Sequence, residues 1–187
     1  MIRISGGRFK GRALTLPPRL RPTEAKVRQA LFNILGEAVV GARVVDGFAG
    51  SGAIGLEALS RGAAFVAFVE ADTEAVLSIR DNLSRLSGEL SPNTWQLVHL
   101  DVERGLRYLA RTPPPFDLVI LDPPYRLQEE AKKALNTVGE CAMLARTGLV
   151  AIEHHQRTIL PVSAASLQQW RQHRYGATVL SFYRLAG

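Results

Sequence analysis

The chain has 187 residues, about one domain's worth, and its 47% hydrophobic and 21% charged residues exclude a disordered polymer. No apolar run approaches the roughly 18 residues of a membrane span, no signal-peptide pattern follows Arg3, Arg8 and Lys10, and the single cysteine, Cys141, excludes an internal disulfide or a Cys-rich zinc site. The net charge of +6 and a pI near 10.0 favour a polyanionic partner, and the expectation is a soluble, cytoplasmic protein with no membrane attachment.

The charge excess lies at the start of the chain. Residues 1–28 hold Arg3, Arg8, Lys10, Arg12, Arg19, Arg21, Lys26 and Arg28 against Glu24 alone, +7 in all, so the other 159 residues sum to −1. Residues 2–5 and 13–16 read as two short strands around the turn-rich Ser5-Gly6-Gly7-Arg8, a small hairpin that Pro17 and Pro18 end. Thr23 caps an expected helix to about Gly36, with Val27, Leu31, Ile34 and Leu35 on one face. A regular alternation follows. Strands are expected at Ala42–Asp46, Phe65–Glu70, Trp95–Leu100, Phe116–Leu121 and Gly148–Glu153. Between them, helices are expected from Ala53 to Arg61, Thr73 to Leu86, Val102 to Arg111 and Gln128 to Leu144. A brief helix over Ala164–Trp170 and a hairpin of Arg171–Tyr175 with Thr178–Tyr183 about Gly176 close the chain. Strands apolar on both faces, separated by helices, mean a parallel sheet covered on both sides. The expected division is a basic hairpin arm for a polyanion over residues 1–22 and one α/β domain over residues 23–187.

Val44-Val45-Asp46-Gly47-Phe48-Ala49-Gly50-Ser51-Gly52-Ala53-Ile54-Gly55 joins the first sheet strand to its helix. Gly50, Gly52 and Gly55 satisfy G-x-G-x-x-G, the dinucleotide fingerprint, in which a helix N-terminus receives a pyrophosphate. Here Asp46 ends the strand, with three residues before Gly50, and a carboxylate beside the ligand repels phosphate and attracts a cation. S-adenosylmethionine carries an α-ammonium and a sulfonium and no phosphate. The turn therefore favours it over a dinucleotide, with a ligand-free tight turn as the remaining alternative. Glu70 ends the second strand, where it can accept both ribose hydroxyls, and Asp101 ends the third, where it can accept the adenine amine. Each alone reads as a solvated strand end or a helix cap. Three acids at the carboxyl ends of successive parallel strands are better explained by one ligand lying across that edge.

Phe116–Leu121 delivers Asp122-Pro123-Pro124-Tyr125 to the same edge, and this is the most specific signal in the chain. An exocyclic amine is a poor nucleophile because its lone pair is delocalised into the ring. A carboxylate oxygen and a backbone carbonyl, each accepting an N–H from that amine, turn the lone pair toward an incoming methyl. Proline before proline keeps the backbone extended and fixes where the carbonyl points. Tyr125 offers a flat face for a flipped-out base. A rigid strand-ending turn without chemistry is the competing reading.

The two turns together resemble the class I S-adenosylmethionine-dependent amino-methyltransferases. The stretches Arg3-Ile4-Ser5-Gly6-Gly7-Arg8-Phe9-Lys10-Gly11-Arg12 and Arg21-Pro22-Thr23-Glu24-Ala25-Lys26-Val27-Arg28-Gln29-Ala30-Leu31-Phe32-Asn33 narrow this. Both are similar to the RsmD-type bacterial enzymes, which methylate N2 of a guanine in 16S ribosomal RNA. The resemblance runs over nearly the whole chain. It implies a Rossmann-like methyltransferase fold, with a mostly parallel seven-stranded sheet, helices on both faces, an antiparallel last strand and the N-terminal β-hairpin as an extension. It also implies S-adenosylmethionine as cofactor and, as partner, a loop of 16S rRNA in an assembled or partly assembled small ribosomal subunit. By the resemblance, Asp46, Ala49, Gly50, Gly52, Glu70 and Asp101 fall at cofactor positions, and Asp122, Pro123 and Tyr125 at catalytic ones. Arg8, Lys10, Arg12, Arg21 and Arg28 are the candidate phosphate contacts, Arg28 with the option of packing along its helix. A monomer without metal is expected.

Glu153-His154-His155, with Cys141 nearby, reads as structural or solvated, since zinc needs about four ligands and adjacent strand histidines point apart. Trp95 and Trp170 read as packing residues. The rival functions are a DNA adenine-N6 methyltransferase, which shares the Asp-Pro-Pro-Tyr chemistry, a nicotinamide oxidoreductase, and a non-catalytic RNA-binding factor on the same fold.

Overall fold

A computed structural model describes residues 2–17 and 25–187. β1 (Ile2–Arg3) pairs antiparallel with β2 (Ala13–Leu14), and α1 (Ala25–Leu35) follows. Then β3 (Arg43–Gly47), α2 (Ala53–Ser60), β4 (Phe65–Glu70), α3 (Thr73–Ser84), β5 (Trp95–His99), α4 (Val102–Leu109), β6 (Phe116–Leu121), α5 (Gln128–Glu140) and β7 (Leu144–His155) alternate. The chain closes with β8 (Ser163–Ala164), β9 (Leu167–Tyr175) and β10 (Thr178–Leu185). The expected cap at Thr23 and the boundary between residues 22 and 23 lie outside the described residues.

The main sheet runs β5-β4-β3-β6-β7-β10-β9-β8, parallel from β5 to β7, with β10 antiparallel to both β7 and β9. The reversed last strand is as expected, but the sheet has eight strands, not seven. The added one is β8, where a short helix was expected. Ala164 and Leu167 are buried three residues apart, a helical spacing, yet Ala165 adopts φ +50° and folds the chain into a tight hairpin that pairs Ala164 with Leu167. The helix expected to reach Leu144 stops at Glu140, because Ala142 turns left-handed at φ +48°.

Alternation along each strand sends side chains to two separate cores. Val44, Val66, Phe68, Leu118 and Ile120 pack with α1, α2, α3 and the N-terminal hairpin, whose Ile2, Ile4, Phe9 and Leu14 are buried there. Val45, Ala67, Val69, Val119 and Leu121 pack with α4 and α5 on the other face. Strand order reverses between β3 and β6, and at such a switch point the loops beyond the strand ends diverge and leave a crevice. Among the described residues no helix is long and apolar enough to cross a membrane.

Candidate active site

β3 places Asp46 and Gly47 in register with Ile120 and Leu121 of β6, at the switch point. Asp46 is 1% exposed; its Oδ2 accepts the Gly55 N–H at 2.8 Å, while its buried Oδ1 has no hydrogen-bond partner. Burial pushes the carboxyl well above its usual range against the pull of the Gly55 N–H, and the charges of Asp122 and Glu70 push it further. A buried carboxylate with one free oxygen is a receptor for a cation, and the wrong neighbour for a pyrophosphate. The turn after it is held open by left-handed residues, Phe48 at φ +62°, Gly50 at +56° and Gly52 at +77°, and Gly52 begins α2. Glu70 at the end of β4 staples this turn: its Oε2 accepts from Gly50 N–H at 2.7 Å and its Oε1 from Ala71 and Asp72 N–H at 2.8 Å each. The Ala49 N–H donates to the Val69 carbonyl at 3.0 Å. Gly55, the third glycine of the motif, serves packing, since a Cβ there would overlap the Phe68 ring.

Asp101 lies two residues beyond His99, the register partner of Glu70. It caps α4 through Oδ1, which accepts the Arg104 N–H at 3.0 Å, while Oδ2 lies 3.4 Å from Arg104 Nε in an ion pair, and the side chain is exposed. Asp46, Glu70, Asp101 and Asp122 therefore line one carboxyl edge of the sheet, as the sequence suggested.

The Asp122 N–H donates to the Gly47 carbonyl at 3.2 Å, which joins the Asp-Pro-Pro-Tyr turn to the Gly-rich turn. The Leu127 N–H closes the turn onto the Pro124 carbonyl at 2.7 Å, with Pro123 buried and Tyr125 46% exposed. The Tyr125 hydroxyl shares a 2.7 Å hydrogen bond with Thr178 Oγ1, and its ring meets His155 edge-on with centroids 5.4 Å apart. Sequence reasoning missed both Thr178 and His155. They come beside Tyr125 because β10 pairs with β7, Thr178 opposite His155. His154 is a core residue, with Nε2 2.7 Å from Ser181 Oγ and Nδ1 3.0 Å from the His155 carbonyl, and burial lowers its pKa.

The family model described as "Conserved hypothetical protein 95" matches residues 2–184. This chain belongs to that family. It is 37% identical over 188 residues to the Ribosomal RNA small subunit methyltransferase D of Escherichia coli K12, covering 98% of this chain and 88% of that protein. The solved structure of yhhF from Escherichia coli superposes with a TM-score of 0.83 at 32% identity, over 100% of this chain and 99% of that one. TTHA0928 from Thermus thermophilus gives a TM-score of 0.83 at 29% identity, over 99% and 100% of the two chains. The architecture is the Rossmann-like methyltransferase fold.

In this family member the N-terminal hairpin is fastened to α2 rather than free. Glu57, 0% exposed, accepts from Ser5 N–H at 2.7 Å, Ser5 Oγ at 2.8 Å and Arg61 Nε at 2.8 Å. The Phe9 N–H donates to Ser60 Oγ at 2.9 Å, and a Cβ on Gly7, at φ +74°, would overlap the Ser60 carbonyl. Of the candidate phosphate contacts, Arg8, Lys10 and Arg12 are exposed, Arg8 stacked on Phe9 at 4.4 Å and Arg12 paired with Glu89 at 2.6 Å. Arg21 lies outside the described residues. Arg28, expected as a phosphate contact, is buried instead. It is 1% exposed, its Nη2 donates to the Arg3 carbonyl at 2.7 Å and its Nε lies 3.7 Å from Glu57, so it is sealed from any phosphate. Desolvation lowers its pKa while Glu57 holds it up. Trp95 packs against the core as expected, but Trp170 is 45% exposed and is no packing residue.

Proposed function

We propose that this chain transfers a methyl group from S-adenosylmethionine to the exocyclic N2 amine of a guanine in 16S rRNA. The observation that carries this reading is the hydrogen bond from Asp122 N–H to the Gly47 carbonyl. It sets the Asp-Pro-Pro-Tyr turn against the strand end that holds Asp46, which supports a reading with adjoining acceptor and cofactor sites. Asp46, with its unpartnered buried Oδ1, fits the α-ammonium. Glu70 would accept the ribose hydroxyls and Asp101 the adenine amine, while Ala49, Gly50 and Gly52 let backbone come close to the ligand. The cofactor supplies an electrophilic methyl group on a sulfonium.

The residues of the acceptor turn act on the amine. The Asp122 carboxylate and the Pro123 carbonyl each accept one of its N–H groups, which aims the lone pair and stabilises the positive charge that develops on nitrogen. The methylated amine then sheds a proton, so no base of tuned pKa is required. Tyr125 stacks on the base, worth about 1–3 kcal/mol, with its ring held by Thr178. Residues 1–22 serve as the RNA arm, with Arg8, Lys10, Arg12 and Arg21 on phosphates. The enzyme acts as a cytoplasmic monomer on an assembled or partly assembled small subunit. Asp122→Ala tests the mechanism. Methyl transfer should fall by about 10²–10³-fold or more with cofactor affinity near wild type, and wild-type turnover in that variant would refute the assignment.

A further inference from the structure

The N-terminal arm is one of two basic ends. From His154 onward the chain has no acidic residue, and Arg157, Arg171, Arg174 and Arg184 give +4, whereas residues 29–153 sum to −5. None of these four arginines forms an ion pair among the described residues. Three of them sit on the β9–β10 hairpin. β8 pairs with β9 only at Leu167 and Gln168, and the Gln169 N–H donates to the Val162 carbonyl at 2.7 Å, which leaves Trp170–Tyr175 as an open sheet edge.

A register shift in that hairpin pairs Arg171 with Phe182 and Gln169 with Tyr183, so Trp170 is an extra, bulged residue. Its half-exposed ring carries the guanidinium of Arg171 at 5.1 Å and that of Arg184 at 5.8 Å from the centroid. Arg171 and Tyr175 stand opposite Phe182 and Thr178, on the sheet face of the core that holds the N-terminal hairpin. Arg171 and Arg184 thus share a face with the N-terminal hairpin, and Arg174, opposite Val179, stands on the other. The tip of the β9–β10 hairpin also adjoins the catalytic turn, since Thr178 holds the Tyr125 hydroxyl. From Tyr175 back to Trp170 the strand extends about 17 Å.

We infer that the β9–β10 hairpin is a second docking strip for the RNA substrate, holding single-stranded nucleotides next to the target base. The inference rests on the proposed rRNA methylation. Arg171 and Arg184, pre-oriented on Trp170, take phosphates, and the rings of Trp170 and Tyr175 take unstacked bases. Charge on a sheet edge also discourages strand-to-strand aggregation, but that role gives no reason for an exposed tryptophan beneath the charges.

The test compares Arg171→Ala/Arg184→Ala with a control, Arg111→Ala/Arg146→Ala, two exposed arginines near the amino ends of β6 and β7. Affinity is measured for small ribosomal subunits and for a naked 16S transcript across a salt series, with cofactor affinity and melting temperature measured alongside. Each phosphate contact to a single strand contributes about 0.7 to the salt slope and so roughly fourfold at about 0.15 M salt relative to 1 M. The hairpin variant should therefore bind about 15-fold more weakly with a slope shallower by about 1.4, and Arg171→Lys/Arg184→Lys should restore the slope. The control should bind like wild type. An unchanged hairpin variant, as expected if the open edge serves a protein partner instead, overturns the inference, and so does an equal loss in the control. A wild-type protein that neither binds nor methylates either RNA overturns the functional reading itself, a different result.

Discussion

Replacing Asp46 with Asn separates the two consequences of burying a carboxylate beside a cation site. The side chain is 1% exposed, Oδ2 is engaged by Gly55 N–H and Oδ1 has no partner. Asn keeps an acceptor for Gly55 and removes the charge. Burial raises the folded pKa above the unfolded value of about 3.9, so the stability linked to Asp46 is complete below that value. It is lost as pH rises through the raised folded pKa, by about 1.4 kcal/mol per unit between the two. Without cofactor, the Asn variant should lack this loss and melt at or above wild type at neutral pH. With cofactor the order reverses. A charge-assisted hydrogen bond contributes about 1.5–3 kcal/mol, so the variant should bind S-adenosylmethionine about 10- to 150-fold more weakly. Wild-type affinity should also weaken as acid protonates Asp46, a dependence absent from the variant. Calorimetric titration and thermal melts across a pH series measure all three effects. An Asn variant that binds cofactor like wild type, or is clearly less stable without it at neutral pH, refutes the reasoning.

Glu57→Ala leaves the fully buried guanidinium of Arg28 without its counter-charge and releases Ser5 and Arg61, so it should cost about 3–5 kcal/mol. At about 2–4 °C per kcal/mol for a chain of this size, the melting temperature should fall by roughly 6–20 °C, and a fall below about 2 °C would count against the buried hub. Thr178→Val removes one hydrogen bond of the Tyr125 hydroxyl at near-constant volume. The loss of one hydrogen bond, about 0.5–1.5 kcal/mol, should slow methyl transfer about 2- to 13-fold at unchanged cofactor affinity, and an effect on cofactor binding instead would misplace Thr178.

The parts of the fold set by local pattern were legible in the sequence. β4 and β6 have the expected bounds because each is a largely apolar run closed by an acid, and β3 runs into its Gly-rich turn as its composition demands. Where a residue adopts a backbone conformation its type rarely takes, the sequence gives no warning. Ala142 and Ala165 are left-handed, and they ended α5 early and replaced a helix with β8. Arg28 was legible in part. It lies four residues before Phe32 within the apolar stripe of α1, but its partner Glu57 is supplied by a different helix. His155 reads from the sequence only as structural or solvated and Thr178 not at all, since their place beside Tyr125 follows from strand order and not from spacing. Asp101 illustrates the remaining case: the helix cap that the sequence offers is present, with Oδ1 on the Arg104 N–H and Oδ2 beside the Arg104 guanidinium, and the cap leaves the side chain exposed.

The identity of the methylated atom decides the function. Purified protein is incubated with radiolabelled S-adenosylmethionine and, separately, small ribosomal subunits lacking their guanine-N2 methyl groups, the matching naked 16S RNA, and unmethylated duplex DNA. Digestion to nucleosides then locates the label. Label is expected in N2-methylguanosine from subunits or 16S RNA and none from DNA. Label confined to N6-methyladenine in DNA, or no label in any acceptor from a protein that binds the cofactor, would contradict the proposed function.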